Sequence, residues 1–407
     1  MSIFRDIPPT AGFPLHAQEI VAAITCSRGE DPLADDFKKY LNAPYARTTC
    51  SGTAALFFIC CAIQKMTSRR TILIPSFICP LVPLALRRAG FTVAVCDIGA
   101  QDFNFDQARL ETICAANRDI AAVVINHLAG IPADVEASLT VARKHNIIVI
   151  EDCAQALGAF SKDRKVGTLG DFAFFSFAAG KGLTMYEGGM MATMHEQYAS
   201  LLDDAAALYA PRNAALETVR VLQLFGYWLF YRPALFWFVF TLPQQLWHLC
   251  GNDIRALREH FNLNFPLHAV SRFRIGVAHS AFTRLDGEIA QQREKALWYF
   301  RKLEGCRGVR LLQESSGDRA TYPYVTVVFD DPAARNKVLQ HCVRAGIGIS
   351  QIYARAIGDY PYLKKIVPAE PYDNGRLIVK RTLTLSTNTF LTEKDADEVV
   401  RIIKEML

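Results

Sequence analysis

The 407-residue chain predicts an α/β protein with a largely parallel sheet, followed by a smaller α+β domain. Three observations carry this expectation. Between about 45 and 200, short β-branched or aromatic runs alternate with helical stretches. Those runs are apolar at nearly every position, the pattern of strands covered on both faces. From about 263 onward the chain turns charged and helical, with two strand-like runs and a last helix. The length suits one large unit plus a smaller one. The expected organisation has residues 1–15 packing with the small domain, 16–211 as the large domain, 212–262 as an aromatic-rich insertion, and 263–407 as the small domain.

In chain order, Thr71 to Ile74 reads as a strand, Leu81 to Ala89 as a helix and Phe91 to Cys96 as the next strand. Ala121 to Asn126 and Asn146 to Glu151 follow as strands, with a helix around Ser138 to Lys144 between them. Phe172 to Phe177 and Met190 to Met194 complete the set. Further on, Arg284 to Leu303 and Glu393 to Met406 read as helices, and Tyr322 to Phe329 and Arg381 to Ser386 as strands. Ligands of such sheets sit at the carboxyl ends of the strands, so the residues that end strands are the ones to inspect.

Composition narrows the function classes. The net charge of +5 is scattered without a Lys/Arg block, so nucleic-acid binding is not expected. The eleven cysteines are single apart from the Cys60-Cys61 pair, and no CxxC occurs. Neither a zinc ribbon nor a redox dithiol is indicated, and no metal site is expected. Buried free thiols in a reducing cytosol explain them best. The opening MSIFRDIPPT lacks an apolar signal core, so a cytoplasmic protein is expected.

Four segments at strand ends or helix starts carry chemistry. In Cys50-Ser51-Gly52-Thr53-Ala54-Ala55-Leu56 a turn runs into a helix. Gly52 permits close backbone approach, and the free N–H groups with the Thr53 hydroxyl make an anion site. Plain helix capping is the alternative. Asp152 follows the apolar Val149-Ile150 run, where a carboxylate can pair with a protonated ring nitrogen. Gln155 shares its face if a helical turn follows. The alternative is an Asp cap. Ser176 lies late in an aromatic strand, and Lys181 comes five residues later in a small-residue turn. Desolvation there lowers the lysine pKa and favours the neutral amine that attacks an aldehyde. An ordinary loop lysine is the alternative. A phosphate loop GxxxxGK[ST] fails, because residue 175 is Phe and Gly182 follows the lysine. Last, Glu187-Gly188-Gly189 permits a tight, φ-positive approach, or is simply a hairpin turn.

Together these segments resemble the DegT-type (DegT/DnrJ/StrS) sugar aminotransferases, a group of pyridoxal 5′-phosphate (PLP) enzymes of fold type I. The resemblance rests on Ser51-Gly52-Thr53-Ala54-Ala55-Leu56, Pro75-Ser76-Phe77, and His127 with Gly130, Pro132, Ala133 and Asp134. It continues through Glu151-Asp152 with Ala154-Gln155-Ala156, Gly170-Asp171, Ser176-Phe177, Lys181 and Glu187-Gly188-Gly189. It implies that Lys181 carries the coenzyme as a Schiff base and shuttles the proton. Asp152 pairs with the pyridine nitrogen, Gln155 contacts the ring's oxygen side, and Gly52, Thr53 and Ser176 hold the phosphate. It implies a homodimer with active sites at the subunit boundary. The implied reaction is ping-pong transfer of an amino group from glutamate to a nucleotide-linked or lipid-linked keto-sugar, in polysaccharide or glycoconjugate biosynthesis. Other PLP chemistry, such as dehydration, and a non-catalytic binding protein on the same scaffold are the alternatives. Dehydrating relatives often carry His at the position of Lys181, which favours transamination.

Three positions depart from the family pattern. Where a ring-stacking aromatic is usual stands Cys79, so stacking is lost or supplied by another residue such as Phe77. Leu267-His268-Ala269 replaces an Asn-Tyr-Arg element that reaches the neighbour's phosphate. Ala129 replaces a Tyr. The insertion is the other anomaly, since Leu222 to Trp247 holds three of the four tryptophans. Arg232-Pro233 interrupts it, and neither half reaches the roughly 20 residues of a bilayer span. Two readings stand for it: shallow insertion into one leaflet, giving a peripheral protein at the inner membrane face, and burial in a dimer or interdomain contact.

Overall fold

The computed structural model describes residues 5–24, 31–251, 253–257 and 259–407. The first four residues of the expected N-terminal segment, and residues 252 and 258 of the expected insertion, lie outside the described residues.

The first nine strands are β1 Tyr45–Thr49, β2 Thr71–Pro75, β3 Thr92–Cys96, β4 Ile120–Asn126, β5 Ile148–Asp152, β6 Phe160–Ser161, β7 Arg164–Lys165, β8 Phe172–Ser176 and β9 Gly189–Thr193. Seven of them form one sheet in the order β1-β9-β8-β5-β4-β2-β3, and β6 and β7 form a separate ribbon. Strands β3, β2, β4, β5 and β8 pair in parallel, while β9 runs antiparallel to both β8 and β1. The sheet is the mostly parallel one expected, with β9 alone reversed.

The two faces follow from side-chain alternation along each strand. Ile72 and Ile74 join Ala122 and Val124 in a core under helices Gly52–Met66 and Leu81–Arg88. Leu73, Val123, Ile125 and Val149 point the other way, toward helices Gln107–Ala116 and Val135–Lys144. Both faces are covered, which is why the strands are written in nearly unbroken apolar letters.

Two local expectations are corrected. Asn146 is a left-handed turn residue (φ +52°), not the start of a strand. The ladder with β4 instead runs on to the Asn126–Asp152 pair, which makes Asp152 the last residue of β5. No helical turn follows it. Residues 153–159 make successive tight turns, with Ala156 N–H donating to Cys153 O (3.1 Å) and Ala159 N–H to Ala156 O (3.0 Å).

Downstream, β10 Val309–Leu311, β11 Tyr324–Phe329, β12 Ile349–Ser350 and β13 Thr382–Ser386 form an antiparallel sheet in the order β10-β11-β13-β12. Helices Leu285–Leu303, Pro332–Ala345 and Glu393–Met406 bury Tyr299, Val338 and Val399 against it. The last helix has a capping box, Thr392 with Asp395. Ile7 lies in this second core, and Arg5 forms an ion pair with Asp395.

The aromatic insertion is helical. It comprises Ala214–Phe230, Pro233–Phe236, the π-turn Trp237–Thr241, Leu242–Leu249 and Asp253–Ala256. Pro233 starts its helix at the first turn, where its missing N–H costs nothing. No helix among the described residues is long and apolar enough to cross a membrane.

Candidate active site

Asp152 ends β5 at the carboxyl edge of the parallel strands and is 4% exposed. Burial pushes its carboxyl up to about 6, although the Ala154 amide, Lys181 and His127 all pull the other way. Its neighbour Glu151 points into the protein. It accepts hydrogen bonds from the amides of Gly167 (2.8 Å), Leu169 (2.7 Å) and Gly170 (2.7 Å), and pairs with His127 Nε2 at 3.1 Å. His127 Nδ1 accepts from the Ala133 amide at 3.0 Å, so its proton sits on Nε2, facing Glu151. His127, Glu151 and Cys153 lie close enough together to suggest a metal site. Both imidazole nitrogens and the carboxylate are already engaged, however, so the cluster reads as a brace that fixes the ends of β4 and β5.

Lys181 sits on the loop after β8. Its stem is half-buried, and desolvation of the amine lowers its pKa, opposed by the charges of Cys79 and Asp152. The coupling is mutual, which puts amine and carboxyl in one electrostatic environment. The loop is held by its backbone. Ala179 N–H donates to Tyr186 O (2.7 Å), Lys181 N–H to Ala178 O (3.1 Å), and Phe13 N–H to Lys181 O (3.2 Å). Gly180 adopts φ +83°, and a Cβ there would meet Thr10 Oγ1 at 3.1 Å.

Ser51 caps helix Gly52–Met66 by accepting the Ala54 amide at 3.0 Å. The Gly52 and Thr53 amides are first-turn donors with no intrahelical acceptor. A Cβ on Gly52 would lie 3.1 Å from Ser176 Cβ, so the helix start abuts the end of β8. Gly188 and Gly189 do not take the positive φ expected of them; Tyr186 does, at φ +72°. Gly189 serves close approach instead, since a Cβ there would fall 2.5 Å from the Gly52 amide nitrogen.

A cavity of about 620 Å³ is lined by Lys181, Gln155 and Ser176. Asp152, Gly52 and Thr53 are not among its lining residues. Gln155 Oε1 accepts from the Ala129 amide (3.1 Å) and from the Tyr324 hydroxyl, and its Nε2 reaches Tyr353 Oη at 3.5 Å. Ala129 is a non-glycine residue at φ +58°, a strained conformation that aims its amide at Gln155. Phe77 stacks on Phe103 (5.5 Å, 23°) and meets Tyr353 edge-on, and it does not line the cavity.

Sequence reasoning missed several residues around this cavity. Tyr227 and Tyr231 of the insertion line it, stacked at 4.5 Å. Tyr227 Oη donates to Phe13 O (2.8 Å), and Asn388 Nδ2 donates to Tyr231 Oη (2.9 Å). Arg274 is fully buried and binds Glu217 of the insertion and the carbonyl of Glu187. Burial works against ionisation of Glu217, but His268 and Arg274 overcome it and hold its carboxyl far below the usual range. His268, at the departure from the family's Asn-Tyr-Arg element, is thus spent on an internal network. A lone acid in an apolar helix, and tyrosines four residues apart, were the signals available in the sequence.

Comparison with known proteins settles the kinship. The sequence profile of the DegT/DnrJ/EryC1/StrS aminotransferase family matches residues 19–207 and 267–404. The chain belongs to that family. The gap between the two matched stretches coincides with the insertion. GDP-perosamine synthase of Caulobacter vibrioides is 26% identical over 387 residues, covering 91% of this chain and 88% of the relative. The spore coat polysaccharide biosynthesis protein SpsC of Bacillus subtilis is 25% identical over 382 residues, with coverage of 91% and 88%. The putative sugar aminotransferase Spr1654 of Streptococcus pneumoniae, in its PMP form, superposes with a TM-score of 0.78 at 17% identity, covering 98% of this chain and 97% of that one. The fold is that of these PLP-dependent sugar aminotransferases.

As a DegT/DnrJ/EryC1/StrS aminotransferase, the chain takes pyridoxal 5′-phosphate, and its residues fit that group. A carboxyl that burial holds up near 6 would be drawn into its ionised form by a protonated pyridine. A desolvated amine stands within its field. Unpaired helix-start amides beside Ser176 suit a phosphate.

Proposed function

We propose that this aminotransferase takes an amino group from glutamate and delivers it to a keto-sugar borne on a nucleotide or lipid carrier, in polysaccharide or glycoconjugate biosynthesis. The observation that carries the reading is the buried, mutually coupled pair of Lys181 amine and Asp152 carboxyl at the carboxyl edge of the parallel sheet. The names of the full-length relatives support a sugar as acceptor.

When bound, PLP supplies an electrophilic carbonyl and an electron-withdrawing ring, which let an amino group leave one substrate and enter the next. Lys181 Nζ holds the coenzyme and carries the proton to and from the substrate carbon, a task that needs the amine neutral for part of the cycle. Asp152 keeps the pyridine nitrogen protonated. Gln155, pinned by Ala129, Tyr324 and Tyr353, orients the oxygen side of the ring. The Gly52 and Thr53 amides with Ser176 hold the phosphate. We place two such sites at the boundary of a homodimer in the cytoplasm, and the free thiols of the described cysteines support a reducing compartment.

The test is direct. Purified holoenzyme is incubated with glutamate and a panel of keto-sugars on nucleotide or lipid carriers, and the products are weighed by mass spectrometry. A mass change matching replacement of a carbonyl oxygen by an amine, with loss of the coenzyme's visible absorbance on adding glutamate alone, is expected. A coenzyme spectrum indifferent to glutamate points to a binding protein on this scaffold. Loss of water from the sugar points to dehydration.

A further inference from the structure

We infer that residues 8–13 form a strap through which the antiparallel sheet sets the position of the Lys181 amine, with Thr10 as its positioning residue. The inference rests on the role proposed above for Lys181, and it adds a segment to which that role assigns nothing.

Within its own loop, Lys181 makes one backbone bond, from its amide to Ala178 O. The two peptide carbonyls that flank its Cα are held from outside the loop. Gly180 O accepts from Thr10 Oγ1 at 2.9 Å, and Lys181 O accepts from the Phe13 amide at 3.2 Å. A peptide unit is planar, so fixing the units on both sides of a Cα fixes the direction of its side chain. Gly180 stands at φ +83°, and a glycine has little conformational restraint of its own. The orientation of its peptide therefore depends on what its carbonyl meets, and that partner is Thr10. Packing is close at the same place: a Cβ on Gly12 would lie 2.9 Å from Gly180 Cα.

The strap is anchored elsewhere. Pro8 O accepts from Ser386 Oγ at 2.6 Å, Thr10 O accepts from Asn388 Nδ2 at 2.8 Å, and the Ala11 amide donates to Pro323 O at 2.7 Å. Ser386 ends β13, Asn388 follows it, and Pro323 precedes β11. Ser386 and Asn388 are both buried. A buried hydroxyl or amide is costly without a partner, and the strap's carbonyls supply the acceptors. Thr10 thus has its backbone tied to the end of the antiparallel sheet and its side chain tied to the residue before Lys181. These contacts are made within one chain and hold whatever surface a second protomer covers.

A lysine amine joins the PLP aldehyde with loss of one water, whereas pyridoxamine phosphate (PMP) bears an amine in place of the aldehyde and cannot join it. The two ligands separate the placement of Lys181 from the integrity of the pocket. Coenzyme-free protein is mixed with PLP by stopped flow, and growth of the visible absorbance gives the capture rate. PMP affinity is measured by calorimetry. Thr10→Val keeps the shape and removes the donor. It is expected to slow capture at least about fivefold, the weight of one hydrogen bond lost from the placement of the amine. Thr10→Ser keeps the donor and is expected to capture PLP within about twofold of the wild-type rate. PMP affinity is expected to stay within about twofold of wild type in both. Ser386→Ala, at the far anchor, is expected to slow capture in the same direction, and it decides the matter if Thr10→Val does not fold. The inference is overturned if either slow variant captures PLP at the wild-type rate, or if Thr10→Ser is as slow as Thr10→Val. It is also overturned if PMP affinity falls as far as the capture rate, since the pocket as a whole is then damaged. Lys181→Ala protein that captures PLP like wild type brings down the parent reading, and this inference with it.

Discussion

Lys181 lies on a loop tied down by main-chain hydrogen bonds, to Ala178, Tyr186 and Phe13, whereas the insertion across the cavity is tied down by side chains. Glu217, Arg220, Tyr227 and Tyr231 reach Arg274, Glu187, Phe13 and Asn388, partners tens to hundreds of residues away. A backbone-held loop leaves a compact local signature of small residues at short spacing. A side-chain-held segment leaves its partners scattered, and nothing local announces them. In the function proposed above, the first region brings the chemistry, and the second lines the same cavity.

The largest effect that separates them is on turnover. Lys181→Ala is expected to lower the transamination rate on the order of 10⁴-fold or more, with circular dichroism and thermal midpoint close to wild type. Near-normal activity would remove the role assigned to the amine. On the insertion side, Arg274→Ala leaves Glu217 buried without its main partner, and a loss of about 3–5 kcal/mol is expected in urea unfolding. A loss below about 1 kcal/mol would show that the insertion is anchored some other way.

Asp152→Asn should cripple turnover while leaving the fold intact, and it carries a pH signature. Its folded-state pKa, about 6, lies above the ordinary 3.8. The folded protein therefore holds the proton longer than the unfolded chain. The stability this confers is complete below about pH 4 and is lost as pH rises through about 6. In the coenzyme-free protein, Asp152→Asn is expected to be more stable than wild type at pH 8, by roughly 2–3 kcal/mol, with the gap closing toward pH 4. For the same reason, PLP affinity of the coenzyme-free wild type should fall by up to roughly tenfold between pH 7 and pH 5, because a protonated carboxyl cannot pair with the ring nitrogen. Reconstitution followed by absorbance measures it. The smallest effect is Tyr227→Phe, which removes one hydrogen bond to Phe13 O and should cost about 1 kcal/mol of stability.

The order of apolar strands and helices was enough, by itself, to dictate a doubly covered parallel sheet, because a strand buried on both faces has no polar positions to spare. Short motifs placed Asp152, Gln155, Ser176 and Lys181 at its carboxyl edge. The extension of β5 to include Asp152, and the turns instead of a helix after it, depend on pairing with β4, which no local propensity reports. Likewise, a run of aromatic letters has no direction. Whether it faces lipid, a partner or a cavity is decided by the buried contacts of Glu217, Arg274, Tyr227 and Asn388, which turn part of it toward Lys181. Only the tertiary structure brings residues so far apart in sequence into contact, because desolvated ion pairs and hydrogen bonds form only once the chain has closed around them.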